Sequence, residues 1–193
     1  MLLFQFVQIL YWLALSTWFG GVLFVAIAAP IIFRTVRESD PTLPTVLSVN
    51  LEGQHATLLA GSIVANLLAV LVRIELACAA AMGIAIVAQW FLVERTGAPL
   101  VSSVLRTALY LAAVAIAVYD WRVLSPRIWR YRNEYIEDAD NPEVANPAKE
   151  QFDRYHRESV TLLTVSLFLL LGIVLFSAGI TPVSHATTVT FTR

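Results

Sequence analysis

Four long apolar runs, each closing in charged residues, set the pattern of this chain. Residues 4–29, 76–93, 103–124 and 159–180 are all close to the ~20 residues a helix needs to cross a bilayer. A helix-crossing pattern is therefore predicted over each. Composition agrees: 58% of the 193 residues are hydrophobic and only 14% are charged. A soluble domain of this length has no core large enough to hide that much apolar surface. The expectation is an all-α integral membrane protein, one domain over residues 1–193, with four transmembrane helices.

The segments between the runs refine this picture. In the first run Ser16 and Gly20 lie four apart, as do Thr17 and Gly21. Small residues at that spacing let two backbones approach closely in lipid, so these four are candidate helix-packing positions. Trp12 and Trp18 are large neighbours suited to the adjoining groove, and Pro30 is expected to disrupt or end the helix. After a polar turn at 34–44, residues 45–72 read as an amphipathic segment before the second span. Ser62, Asn66, Ala69 and Arg73 share one face, and Leu59, Ile63, Leu67 and Leu71 the opposite one. This segment is expected at the membrane interface or dipping inward, running on into the second span. Glu94–Pro99 reads as a short turn, and Ser125-Pro126 as the end of the third span or a kink. Residues 126–157 form a hydrophilic connection, broken at Asn141-Pro142 and Asn146-Pro147. A surface helix is expected to resume there, from the opposite-charge pairs Asp153–Arg157 and Arg154–Glu158. The Thr-rich tail 181–193 is expected to fray.

Charge sets the orientation. Ala26-Ile27-Ala28 looks like a leader cleavage site, but no Lys or Arg precedes Arg34 and the apolar run is too long, so a retained span is expected. Arg34, Arg37 and Arg73 flank the first connection. The last connection carries Arg122, Arg127, Arg130, Arg132, Lys149, Arg154 and Arg157, against Arg95, with Arg106 just beyond, near the middle turn. The positive-inside bias then places the two larger connections in the cytoplasm and both termini outside, in a bacterial inner membrane. The net charge of −1 argues against nucleic acid as a partner.

With that topology Arg34, Arg73, Glu75, Asp120, Arg122, His156 and Glu158 lie at similar depths near the cytoplasmic face. Charges there call for pairing or solvation, which makes them a candidate polar cluster, with Arg73–Asp120 and Arg122–Glu158 as candidate pairs. The competing reading is ordinary interfacial anchoring. His156 is the weak candidate for a metal or haem ligand, since His55 and His185 fall in other segments. No cofactor is expected. Cys78, the lone cysteine, reads as a packing residue. No Walker loop, GxGxxG, GxSxG or CxxC occurs, so no enzyme chemistry is expected.

Three segments in order resemble the transmembrane protein 205-like family, which includes the bacterial domain of unknown function 4149. They are Trp18-Phe-Gly-Gly-Val-Leu-Phe24 with Pro30 and Phe33; Ala60-Gly61-Ser62 through Leu67 to Arg73-Ile74; and Phe152-Asp-Arg-Tyr155-His156-Arg-Glu-Ser159. Where the family often has an Asn soon after that serine, this chain has Val160-Thr161-Leu162-Leu163. The resemblance implies a small four-helix membrane protein. A eukaryotic member of the family is associated with platinum-drug resistance through export.

Residues and resemblance together give two functional expectations. The first is a non-enzymatic accessory or structural subunit of a larger membrane assembly, with the lipid bilayer and other membrane chains, or itself, as partners. The alternative is a small oligomeric exporter or permease; a haem- or metal-binding subunit is the weaker third.

Overall fold

The computed structural model describes residues 2–43, 49–92 and 98–178. These residues form helices and turns. Helix α1 spans Leu2–Glu38 and α2 spans His55–Leu92, with a 3₁₀ turn at Val49–Leu51 between them. Helix α3 spans Ala98–Tyr119 and passes through a π-helical turn, Asp120–Leu124, into α4 at Ser125–Glu137. Helix α5 runs from Pro142 to Ser177. Four helical paths, with α3 and α4 counted as one, are each long and apolar enough to cross a membrane. The chain is an all-α, multi-pass membrane protein built as a four-helix bundle. Residues 45–48 of the segment before the second span, Val93–Gly97, Ile180 and the tail 181–193 with His185 lie outside the described residues.

All four helices use the same seam. Val7, Tyr11, Ala14, Trp18, Gly21 and Val25 line the inner face of α1, and Val64, Leu68, Leu71, Glu75, Cys78, Met82, Ala85 and Gln89 that of α2. Both alternate steps of four and three, which averages 3.5 residues and keeps one narrow stripe facing a neighbour. On α3 the stripe is Ser103, Arg106, Tyr110, Ala113, Ala117 and Asp120; on α5 it is Ser159, Leu163, Ser166, Leu170, Ile173 and Ser177. The contacts follow from this repeat. Trp18 meets Glu75 and Gln8 meets Gln89, so α1 and α2 are antiparallel. Tyr119 meets Glu158 and Tyr11 meets Ser177, which sets α5 antiparallel to α3 and to α1. The bundle is thus up-down-up-down.

Small residues allow the close approaches. A Cβ on Gly21 would lie 2.9 Å from Leu71 Cδ1, and one on Gly83 would lie 2.6 Å from the Tyr110 hydroxyl oxygen. That hydroxyl crosses over Gly83 to donate 2.8 Å to the Ala79 carbonyl. Of the four small residues on α1, only Gly21 faces the bundle. Ser16, Thr17 and Gly20 are exposed on its outer side. The outer surface is apolar, as lipid requires: Phe91 is 86% exposed and Phe168 67%, while Trp18 is fully covered.

Two expectations about boundaries change, at Pro30 and in the hydrophilic connection, while the running-on of residues 55–72 into the second span holds. Helix α1 does not end at Pro30 but continues to Glu38 with the proline inside it. Losing one N–H is tolerated in a long membrane helix when neighbours support it. Residues 55–72 are the first half of α2, with no break at Arg73–Glu75. Their buried stripe is Ala60, Val64 and Leu71, one step round from the leucine face read from the sequence. The side bearing Ser62 is covered by α4, whose Arg132 donates to the Ser62 hydroxyl. The hydrophilic connection is mostly a helical hairpin. Tyr131 of α4 stacks on Tyr155 of α5 with ring centroids 5.7 Å apart, and Pro147 sits within α5 without breaking it. Ser125-Pro126 follows the π-helical turn, where the Ser125 N–H reaches back to the Asp120 carbonyl. Pro126 then falls in the first turn of α4, where an N–H is not needed.

A methyl group at position 83 cannot coexist with the Tyr110–Ala79 bond. Gly83→Ala is expected to destabilise the bundle by about 1–3 kcal/mol, as overpacking does. Thermal unfolding in detergent should show Gly83→Ala combined with Tyr110→Phe losing less than the sum of the two single changes.

Candidate functional site

The seam places acids where hydrocarbon is expected. Glu75 is 7% exposed and sits one layer below Leu71 on α2. Its Oε1 accepts a hydrogen bond from Trp18 Nε1 at 3.2 Å. Asp120, half-buried, opens the π-helical turn after α3. Such a turn takes up one extra residue, and π-turns cluster at functional positions. Asp120 Oδ1 accepts from Ser159 Oγ at 3.1 Å and Oδ2 from Ser125 Oγ at 3.3 Å. Both carboxyls line a cavity of about 30 Å³ between α2, α3 and α5, room for about one water. Ser166, 5% exposed, lines the same cavity and makes no hydrogen bond among the described residues.

Of the predicted cluster, the structure brings together only Glu75 and Asp120. Neither is paired with a cation among the described residues. Arg73 is exposed and does not reach Asp120. Arg122 lies over the Trp121 ring at 4.2 Å rather than pairing with Glu158, which accepts instead from Tyr119 at 2.9 Å. Both guessed ion pairs are therefore replaced by aromatic and hydroxyl partners. Arg34 is exposed in a separate open groove with Pro30, Phe33 and Arg37. His156 is exposed and stacked on Phe152 at 5.7 Å between centroids. No group of three or more His, Cys, Asp or Glu gathers to hold a metal ion among the described residues. Cys78 is buried in the α2 seam within the hydrophobic core.

A second polar layer occupies the other half of the bundle. Arg106 of α3 is 1% exposed, and its Nε and Nη2 have no hydrogen-bond partner. Its guanidinium lies 5.1 Å from the centroid of the Tyr11 ring. The Tyr11 hydroxyl in turn meets Ser177 Oγ of α5. Asp120 follows Arg106 by fourteen residues on the same seam, about 21 Å along the helix. The core thus holds two carboxyls at one level and one guanidinium at the other, separated by Met82, Ala113 and Leu170. Sequence reading overlooked Arg106, Ser159 and Ser166 as core groups. The available signal was the 3.5-residue spacing that links Arg106 to Asp120 and Ser159 to Ser166.

Comparison with known proteins gives no relative: no family model, no curated protein and no solved structure matches the chain.

A buried guanidinium held only by an aromatic ring, with Nε and Nη2 lacking hydrogen-bond partners, opposes folding, and an apolar residue of similar shape is often neutral or better. Arg106→Met is therefore expected to leave the thermal midpoint in detergent unchanged or to raise it. A loss of several kcal/mol would show that Arg106 is paired in the folded protein.

Proposed function

We propose that this chain is a small, non-enzymatic membrane permease that carries a small cation through the acid-lined centre of its bundle. One observation supports this reading above the others: Glu75 and Asp120 share a cavity inside the bundle without any cationic side chain to neutralise them. Ionisable groups inside a membrane bundle are costly, and substrate or ion paths and proton relays are among the roles that retain them. A subunit that served only to pack would do better with hydrocarbon at position 75. The resemblance to the transmembrane protein 205-like family, with its exporting eukaryotic member, points the same way. The charge bias supports a bacterial inner-membrane placement with both termini outside and the α4–α5 hairpin in the cytoplasm.

The outer face of α1 supports a second reading, an accessory subunit held against another chain. Ile9, Leu13, Ser16, Gly20, Leu23 and Ile27 are all exposed along one stripe, and nothing lies within 4 Å of Gly20. Small residues at this spacing suit a neighbouring transmembrane helix. A permease uses that stripe for a second copy; an accessory subunit uses it for a partner.

Purified protein reconstituted alone into liposomes separates the two. Under an imposed potassium diffusion potential, pH- and sodium-sensitive dyes report entry of either ion. Flux above that of empty liposomes, lost to background in Glu75→Gln, is expected. Silent liposomes, together with other chains co-purifying in fixed ratio, would contradict the permease and leave the accessory subunit.

A further inference from the structure

We infer that Glu75 is an exchangeable proton-binding carboxyl, set beside a fixed carboxylate at Asp120 and opening on the free hydroxyl of Ser166. The site stands on geometry alone; its use in transport rests on the permease reading.

The two acids are not equivalent. Asp120 receives a hydroxyl donor on each oxygen, from Ser159 and Ser125. Donors of that kind stabilise the charged form. Glu75 receives a single indole N–H at 3.2 Å and is the more deeply buried of the two. Burial in the apolar seam disfavours charge on a carboxyl, and a second carboxyl lining the same small cavity disfavours it further, so the more buried and less hydrogen-bonded of the two gives up its charge. With Asp120 fixed by its serines, that one is Glu75.

The cavity suits a proton better than a metal ion. At about 30 Å³ it has room for about one water. Magnesium requires six ligands and calcium six to eight oxygens. The oxygen ligands lining the cavity are the carboxyls of Glu75 and Asp120 and the hydroxyls of Ser159 and Ser166, short of the six such ions take once the hydrogen bonds already made are kept. A proton needs one acceptor, and a hydroxyl both accepts and donates, so Ser166 can pass it on through one water. The titratable groups facing Glu75 are Asp120 from α3 and Cys78 on its own helix. Helix α1 contributes Trp18, and α5 only the hydroxyls of Ser159 and Ser166. Counting Arg106 as the cation of the seam, one proton on Glu75 brings the formal charge of the bundle interior to zero.

A hydrophobic carbodiimide tests this directly. It reacts with protonated carboxyls in apolar surroundings: the proton passes to a carbodiimide nitrogen while the carboxylate oxygen adds to the central carbon. The full chain in detergent is treated with dicyclohexylcarbodiimide, and the adducts are located by peptide mass spectrometry. The expected adduct is at Glu75, roughly tenfold above Asp120 or any exposed glutamate, and it falls as the pH is raised. Sodium, potassium and choline salts give the same yield at constant pH. Asp120→Asn weakens labelling at Glu75, because a neighbouring anion favours the protonated form, whereas Glu75→Asp keeps an adduct at position 75 and shows that the site still folds. Absence of a Glu75 adduct, preferential labelling of Asp120, or protection by sodium at constant pH would each overturn the proton site. Normal labelling with silent liposomes would instead sink the permease and leave the proton site standing.

Discussion

Everything in this bundle depends on a 3.5-residue repeat shared by four helices. The repeat dictates which side chains meet, and in lipid it cannot draw on hydrophobicity to do so, because the outside is as apolar as the inside. Close contact and hydrogen bonding take over. Gly21 and Gly83 bring α1 and α3 against α2, and the Tyr110 hydroxyl spans the gap to Ala79. The same repeat carries Glu75, Arg106 and Asp120 into the centre. Their burial is a consequence of register, and once buried they must be neutralised by something other than water.

The two halves of the interior meet that demand differently. At one level, hydroxyls and an indole surround two acids next to a small cavity. At the other, an aromatic ring and a Tyr–Ser pair surround a guanidinium. An apolar layer of Met82, Ala113 and Leu170 separates them. Opposite charges about 21 Å apart along α3 cannot form an ion pair, yet in a poorly screened interior each still lowers the cost of the other. The helices are also longer than the membrane needs. At 36–38 residues they extend about 55 Å, against about 30 Å of hydrocarbon. The surplus on the α4–α5 side forms a folded cap that packs on α2 through Arg132 and on the residue just before it through Tyr135, which donates to Gln54 at 2.6 Å.

Much of the fold was legible in the sequence, because length and hydropathy are direct readings of a bilayer. The four spans, and the running-on of residues 55–72 into the second, follow from them. Inside and outside were harder. Of the face formed by Leu59, Ile63, Leu67 and Leu71 only Leu71 is buried, and the buried stripe there is Ala60, Val64 and Leu71, since leucine is equally at home in lipid. Proline is a weaker signal than it looks: Pro30 is carried within a membrane helix, and Pro147, in the hydrophilic connection, is carried within the early turns of α5. In the site, Glu75 and Asp120 were legible as charges near span ends. Arg34, Arg73, Arg122 and His156 shared their depth without sharing their side of the helix, and depth alone was the criterion. Arg106 was counted only as a topology charge, although its spacing to Asp120 marks it as a core position.

The central claim is that a neutral carboxyl sits at position 75 in the membrane interior. Infrared spectroscopy of the protein in lipid, recorded in light and in heavy water at neutral pH, reads it most directly. The account predicts a carbonyl band of a protonated carboxylic acid that shifts on deuteration, vanishes in Glu75→Gln and persists in Asp120→Asn at a pH low enough to keep Glu75 protonated. A wild-type spectrum without that band, or a band removed by Asp120→Asn and untouched by Glu75→Gln, would contradict it.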